Sequence, residues 1–209
     1  QLTLSGVIAD GGSAYSITKT GSGILIYSGV STNTYTGGTT INAGSLTLGA
    51  ANVLANTGAI LVDGSSATLA LASYADTVGA VTIGTSGGSI TATTTAGILT
   101  GTSYTFNNTS GNAATVSAIL AGNSVNISQA GTGTTTFSAA NTYTGTTSIS
   151  AGTLALSGSG SIASSSEVAN AATLDISAVT TGTSIVTLSG AGGVNIAGKT
   201  LTITNGSTT

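Results

Sequence analysis

The sequence predicts an all-β chain of short strands following one another without a helix, and three observations predict it. Apolar and polar residues alternate almost everywhere along the 209 residues. Gly, Asn, Ser and Asp, which accept turn conformations, separate the alternating runs. The pattern is then repeated, in a unit of roughly one hundred residues, as solenoids are.

The runs, in order, are LTL (2–4), ILI (24–26), SLTLG (45–49), ILV (60–62), TLALA (68–72), VTI (81–83) and YTF (104–106). They continue as VNIS (125–128), TLALS (153–157), TLDIS (173–177), VNIA (194–197) and LTIT (201–204). Period two means a strand with one buried and one wet face. No segment has a helical period.

Strands at such short spacing suit a sandwich, a barrel or a solenoid. Internal repetition decides among them. NTYTGGTTINAGSLTL (33–48) aligns without gaps on NTYTGTTSISAGTLAL (141–156), with 11 of 16 residues identical. Upstream, AYSITKTGSG (14–23) matches SVNISQAGTG (124–133), and downstream VTIGTSGG (81–88) matches VTLSGAGG (186–193). The expected architecture is one β-solenoid over residues 1–209, with repeat units at about 1–111 and about 112–209. Coils of roughly 20 residues would give some ten coils and a rod on the order of 50 Å long. The copies at 33–48 and 141–156 should hold equivalent positions on different coils.

Composition narrows the function. Charged residues are 3% of the chain, against roughly 25% in ordinary domains. Lys19 and Lys199 are the only cations, so nucleic acid is not an expected partner. Hydrophobic residues reach 40%, evenly spaced, which argues against disorder. Without cysteine, stability must come from stacking and hydrogen bonds. No apolar run is long enough for a transmembrane helix, and the start has neither the basic nor the apolar region of a signal peptide. With 4% aromatics and no Trp, the chain also lacks the girdles of a membrane barrel.

The strings GSGILIYSGVSTNTYTGGTTINAGSLTLG (21–49) and GTGTTTFSAANTYTGTTSISAGTLALSG (131–158) resemble the autotransporter-associated β-strand repeat. LTLSGVIADGG (2–12) and GKTLTITNG (198–206) look like its flanks, while about 50–110 match in texture only. The resemblance implies a right-handed parallel β-helix, export across a Gram-negative envelope and display at the cell surface. It implies no reaction and no cofactor. The membrane barrel that anchors such passengers is not in these 209 residues.

Catalysis is not expected. Histidine and arginine are absent, and the carboxylates Asp10, Asp63, Asp76, Glu167 and Asp175 are far apart in sequence. Asp10 and Asp63 read as turn residues before glycine. Asp175 reads as an outward strand residue, and Asp76 and Glu167 as solvated loop charges. No calcium nonapeptide and no P-loop is present, so neither metal nor nucleotide is expected. Tyr35 and Tyr143 share one repeat slot, as do Tyr27 and Phe137; they read as core fillers near a corner rather than a carbohydrate platform.

The expected function is structural: a non-catalytic segment of an extracellular bacterial surface fibre, its partner being further copies or repeats of itself. Reading TLTITNGSTT on into QLTLS reproduces the pattern of SYTFNNTSGNAATVS (103–117), with five of fifteen residues identical. Neither end shows a polar or helical cap, so an excerpt of a longer chain or a self-stacking subunit is expected. Leu2 and Leu4 at one end and Leu201 and Ile203 at the other are the self-association candidates. The alternatives are an adhesin stalk binding a surface or glycan, and an ice-binding solenoid. The Thr-rich strings 91–95, 134–136 and 146–148 are irregularly placed, whereas an ice face wants one Thr-x-Thr per coil.

Overall fold

The computed structural model describes residues 1–206, and among them every regular element is a strand. All strand pairs are parallel, in two long sheets of ten and nine strands and two short ones. The chain winds through them in turn, giving a β-solenoid of ten coils.

Each coil opens with a strand of the first sheet. These are Leu2–Leu4, Ile24–Tyr27, Gly44–Leu48, Ala67–Ala70 and Gly88–Thr91 for coils 1 to 5. Ala114–Val116, Thr134–Phe137, Thr153–Gly158, Thr173–Val179 and Gly193–Asn195 open coils 6 to 10. The chain then crosses a less regular third face and enters the second sheet, which runs from Ile17–Lys19 in coil 1 to Leu188–Ser189 in coil 9. The third face carries strands in coils 4 to 6 (Asp76–Thr77, Ile98–Thr100, Ile119–Ala121) and in coils 9 and 10 (Gly182–Ile185, Thr200–Ile203). Coils 7 and 8 meet there in a single bridge, Ala140 to Ser161.

The alternating pattern dictates the core. In the first sheet Leu2, Leu25, Leu46, Leu69, Ile90, Val116, Phe137 and Leu156 lie one above another. In the second, Ile17, Thr39, Ile60, Val81, Tyr104, Ile127, Thr147, Val168 and Leu188 form the matching column. Phe106 and Phe137 meet edge to face across the interior, with centroids 5.3 Å apart. Each fully buried Leu or Ile is worth about 1.5–3 kcal/mol, and neighbouring coils share that burial.

Coil length varies, because stacked residues lie between 18 (Ile185 and Ile203) and 26 (Ile90 and Val116) positions apart. The sequence repeat is nevertheless in phase. Thr39–Ile41 and Thr147–Ile149 are both second-sheet strands, and Gly44–Leu48 and Thr153–Gly158 are both first-sheet strands, five coils on. The change of unit near residue 111 falls in the turn between coils 5 and 6.

One corner requires glycine. Gly44 and Gly152 enter the first sheet at φ 66° and 61°. A Cβ on Gly44 would stand 2.4 Å from Gly23 O, and one on Gly152 2.2 Å from Gly133 O. The A-G pair common to both repeats is therefore the point where one coil's corner rests on the last.

Candidate functional site

Three inward polar constellations recur between the copies; the first joins coils in both, and the other two do so in one copy each, through Thr147 to Ser165 and through Lys19 to Ala43 O. The first is the Asn of N-T-Y-T-G. Asn33 is buried on the third face; its Oδ1 accepts the Ile8 N–H of coil 1 at 2.6 Å and its Nδ2 donates to Val53 O of coil 3 at 2.6 Å. Asn141 does the same between coils 6 and 8, accepting from Leu120 N at 2.9 Å and donating to Ser161 O at 3.2 Å. Each amide satisfies backbone groups that an irregular face leaves without ladder partners.

The second is the Tyr–Thr pair of the same motif. Tyr35 and Tyr143 are buried, and their hydroxyls meet Thr39 Oγ1 at 2.5 Å and Thr147 Oγ1 at 2.6 Å. Thr147 donates on to Ser165 Oγ, which donates to Gly145 O and Glu167 O. Burial raises the Tyr35 and Tyr143 pKa values, and it pushes Tyr104 up to about 12. These tyrosines, like Tyr27 and Phe137, fill the core, so none offers a platform to a sugar.

The third lies at the corner between second and first sheets. Lys19 Nζ, from the buried Lys19, donates to Thr20 O (3.0 Å), Gly21 O (2.7 Å) and Ala43 O (2.9 Å), an ammonium held by backbone carbonyls. Five coils on, Gln129 fills the same slot, and its Nε2 donates to Gly131 O (2.8 Å) and Gly133 O (3.4 Å). The alignment of Lys19 with Gln129 carried that signal. Both are long donors before a Gly-x-Gly corner.

The carboxylates are distributed as the sequence suggested, with one correction. Asp10 is a turn residue whose Oδ2 accepts the Thr36 N–H and hydroxyl, both at 2.7 Å, and those bonds lower its pKa. Asp63 accepts from Ser86 N at 2.8 Å. Asp175 faces outward; partial burial raises its pKa, but bonds from Ser177 and Asn195 outweigh that and leave it lowered. Glu167 is a surface group that accepts from Ser189 Oγ at 2.6 Å.

Asp76, expected as a solvated loop charge, is buried. It accepts from Val53 N (2.8 Å), Leu54 N (3.0 Å) and Thr77 N (2.8 Å). It does in coil 4 what the clip asparagines do elsewhere, tying the coil below, and a local reading of loop polarity misses that role. Among the described residues no three carboxylates gather into a metal site.

Burial raises the Asp76 pKa against the pull of those three N–H groups. A carboxyl with a raised folded-state pKa contributes stability below its unfolded value and loses it as pH rises through the folded one. Asp76→Asn removes the charge but sets an NH2 donor where one carboxylate oxygen accepts a backbone N–H, so it should melt below the parent. The deficit should be smallest at pH 7, where the parent carries its buried charge, and grow steadily toward pH 4. A deficit that shrinks on acidification would show that the ionised carboxylate stabilises the fold. Comparing parent with variant cancels Asp10 and Asp175, whose lowered pKa values act in the opposite direction.

The self-association candidates sit on the end coils but on different faces. Leu2 and Leu4 belong to the first sheet, while Leu201 and Ile203 pair with Thr183 and Ile185 on the third face. Ser103–Phe106, with which the sequence aligned residues 200–203, lies in the second sheet, so that likeness is offset by one face.

At one shoulder of the first sheet a neutral groove of about 420 Å³ crosses coils 5 to 8, lined by Thr93, Thr94, Thr95, Ser117, Ser138 and Ser159 among others. On the second sheet, Thr18, Thr40, Thr82 and Thr105 share one outward column, interrupted by Leu61.

Residues 17–48 and 127–156 match the family model described as Passenger-associated-transport-repeat. Neither the curated proteins nor the solved structures give a match to the chain. The matched stretches are the ones that hold the Asn clip, the Tyr–Thr pair and the Lys19/Gln129 corner. The chain is a parallel β-solenoid with two stretches, five coils apart, that are similar to the passenger-associated-transport repeat.

Proposed function

We propose that the chain is a non-catalytic structural segment of a bacterial cell-surface fibre or stalk, its partner being further copies of the same solenoid. The observation that carries this reading is where the polar groups go. The repeated motif residues Asn33 and Asn141, Tyr35 and Tyr143, Lys19 and Gln129 all turn inward; the two asparagines and Lys19 bond to neighbouring coils, and Thr147 carries the Tyr143 contact on to Ser165 of the next coil. A repeat whose specific residues maintain stacking is built for length and rigidity. Its sparse charge suits dense lateral crowding more than steering of charged ligands.

The test is display. A short epitope inserted at Gly111, where the surroundings are open, should be labelled on intact cells of the source bacterium and lost after brief external protease treatment. Labelling that requires permeabilised cells sinks the reading.

A second reading, an adhesin stalk, is favoured by the groove over coils 5 to 8. Its uncharged lining, Thr and Ser hydroxyls set among Ala92, Ile119, Ala139 and Ala140, suits a neutral glycan rather than an acidic one. Loss of glycan-array binding in Thr94→Arg would support it.

A further inference from the structure

The corner that recurs five coils apart is finished by two different side chains, and the difference is one of charge. At the first corner the Lys19 ammonium is a cation held by backbone oxygens: Nζ donates to Thr20 O (3.0 Å), Gly21 O (2.7 Å) and Ala43 O (2.9 Å). Those carbonyls belong to the corners of coils 1 and 2, so one positive charge ties two coils together. At the second corner Ala130 O, Gly131 O and Ala151 O are their counterparts under the alignment of the copies. The shape is kept as well. An added Cβ on Gly44 would run into Gly21 O and Gly23 O, and one on Gly152 into Gly131 O and Gly133 O. The same two carbonyls close on the same glycine in both copies.

At the second corner a neutral side chain stands where the ammonium is in the first. Glutamine reaches one bond less far than the four-carbon stem of lysine. Gln129 Nε2 accordingly bonds only Gly131 O (2.8 Å) and Gly133 O (3.4 Å). Ala130 O and Ala151 O accept no hydrogen bond from the described residues. Gln129 is itself fully buried, and its Oε1 has no partner. Nε2 of the same amide touches Gly131 O, so this orphaned oxygen belongs to the corner. A buried oxygen without a donor is costly, and here it adds to a set of carbonyls that a cation holds in the other copy.

We infer that the Gln129 corner is a binding site for a monovalent cation of about the size of ammonium, namely potassium. Its ligands are Ala130 O, Gly131 O, Ala151 O and Gln129 Oε1, and it joins coils 6 and 7. The ion brings to the second repeat the charge that Lys19 carries covalently in the first. The ligands set its class. All four are neutral, and the five carboxylates make their bonds elsewhere. Calcium takes six to eight oxygens, with carboxylates among them, whereas backbone carbonyls are what replace the hydration shell of potassium. Ala130 and Thr132 are exposed, so the ion reaches the corner from solvent.

Melting the purified chain in potassium chloride and in choline chloride at equal ionic strength tests the site. The parent should melt several degrees higher in potassium, with a gain that grows with the logarithm of its concentration as binding at one site requires. Gln129→Lys, which brings its own ammonium, should melt alike in the two salts. Lys19→Gln, which builds the second corner into the first repeat, should respond to potassium more strongly than the parent. That variant decides the matter if Gln129→Lys does not fold. A parent that melts alike in both salts overturns the inference. So does a Gln129→Lys variant that keeps the potassium response, or a Lys19→Gln variant that adds nothing to it.

Discussion

Gly152→Ala should break the contact between coils 7 and 8, whereas Gly158→Ala should be a mild change. Both glycines have positive φ, 61° and 58°, so both substitutions carry the left-handed penalty of about 1–2 kcal/mol. They differ in what surrounds the new methyl. At Gly158 nothing lies within 4 Å, while at Gly152 a Cβ would stand 2.2 Å from Gly133 O and 2.5 Å from Gly131 O. These are backbone atoms, and the Gly133 carbonyl also accepts the Thr153 N–H at 3.0 Å. Relief requires the corner to lift and that bond to open. We expect Gly152→Ala to lose about 3–5 kcal/mol, the range of a severe single substitution. That is a melting temperature lower by about 10 °C or more in a chain of this size. Limited proteolysis should then cut first in coils 7 and 8. Equal losses for the two variants would mean that backbone conformation alone, without the close approach, accounts for the glycine.

Lys19→Met should be the most damaging change of a charged residue. Methionine reproduces the length and apolar stem but gives no donor to Thr20 O, Gly21 O and Ala43 O. Part of that corner is open to water, so the cost is set at about 2 kcal/mol, seen as a lower urea midpoint with an unchanged slope. Lys19→Gln should recover most of it, because Gln129 performs the same task in the second repeat through one amide. If Gln is as poor as Met, the charge itself is required and the likeness between the corners is only geometric.

Much of this molecule was legible in its sequence. Period two gave the strands, and the Leu, Ile and Val of each run became the buried columns. The shared Tyr slot was legible as core, because an aromatic set in the alternating register of a repeat recurs wherever the interior does. Asp10 before Gly11 was legible because an Asx turn is made within a few residues.

Asp76 was not legible, because the groups that bury it, Val53 and Leu54, lie a whole coil away. The clip asparagines were visible as repeated letters, but their role depends on Ile8 and Leu120 in the coils beneath.

What the sequence by itself determined is the local alphabet: strand, turn, inward and outward, and the fact of a repeat. What only the tertiary structure decided is vertical adjacency. Strand period is fixed by backbone geometry at two residues and can be read anywhere. The distance from one coil to the next, between 18 and 26 residues here, is set by how each corner folds and rests on the one below. A difference of a few residues moves a side chain to another face of the solenoid. That is why Leu201 and Ile203 stand on the third face although their string resembles one of the second sheet. It is also why Thr18, Thr40, Thr82 and Thr105 form one column although their sequence spacing is uneven.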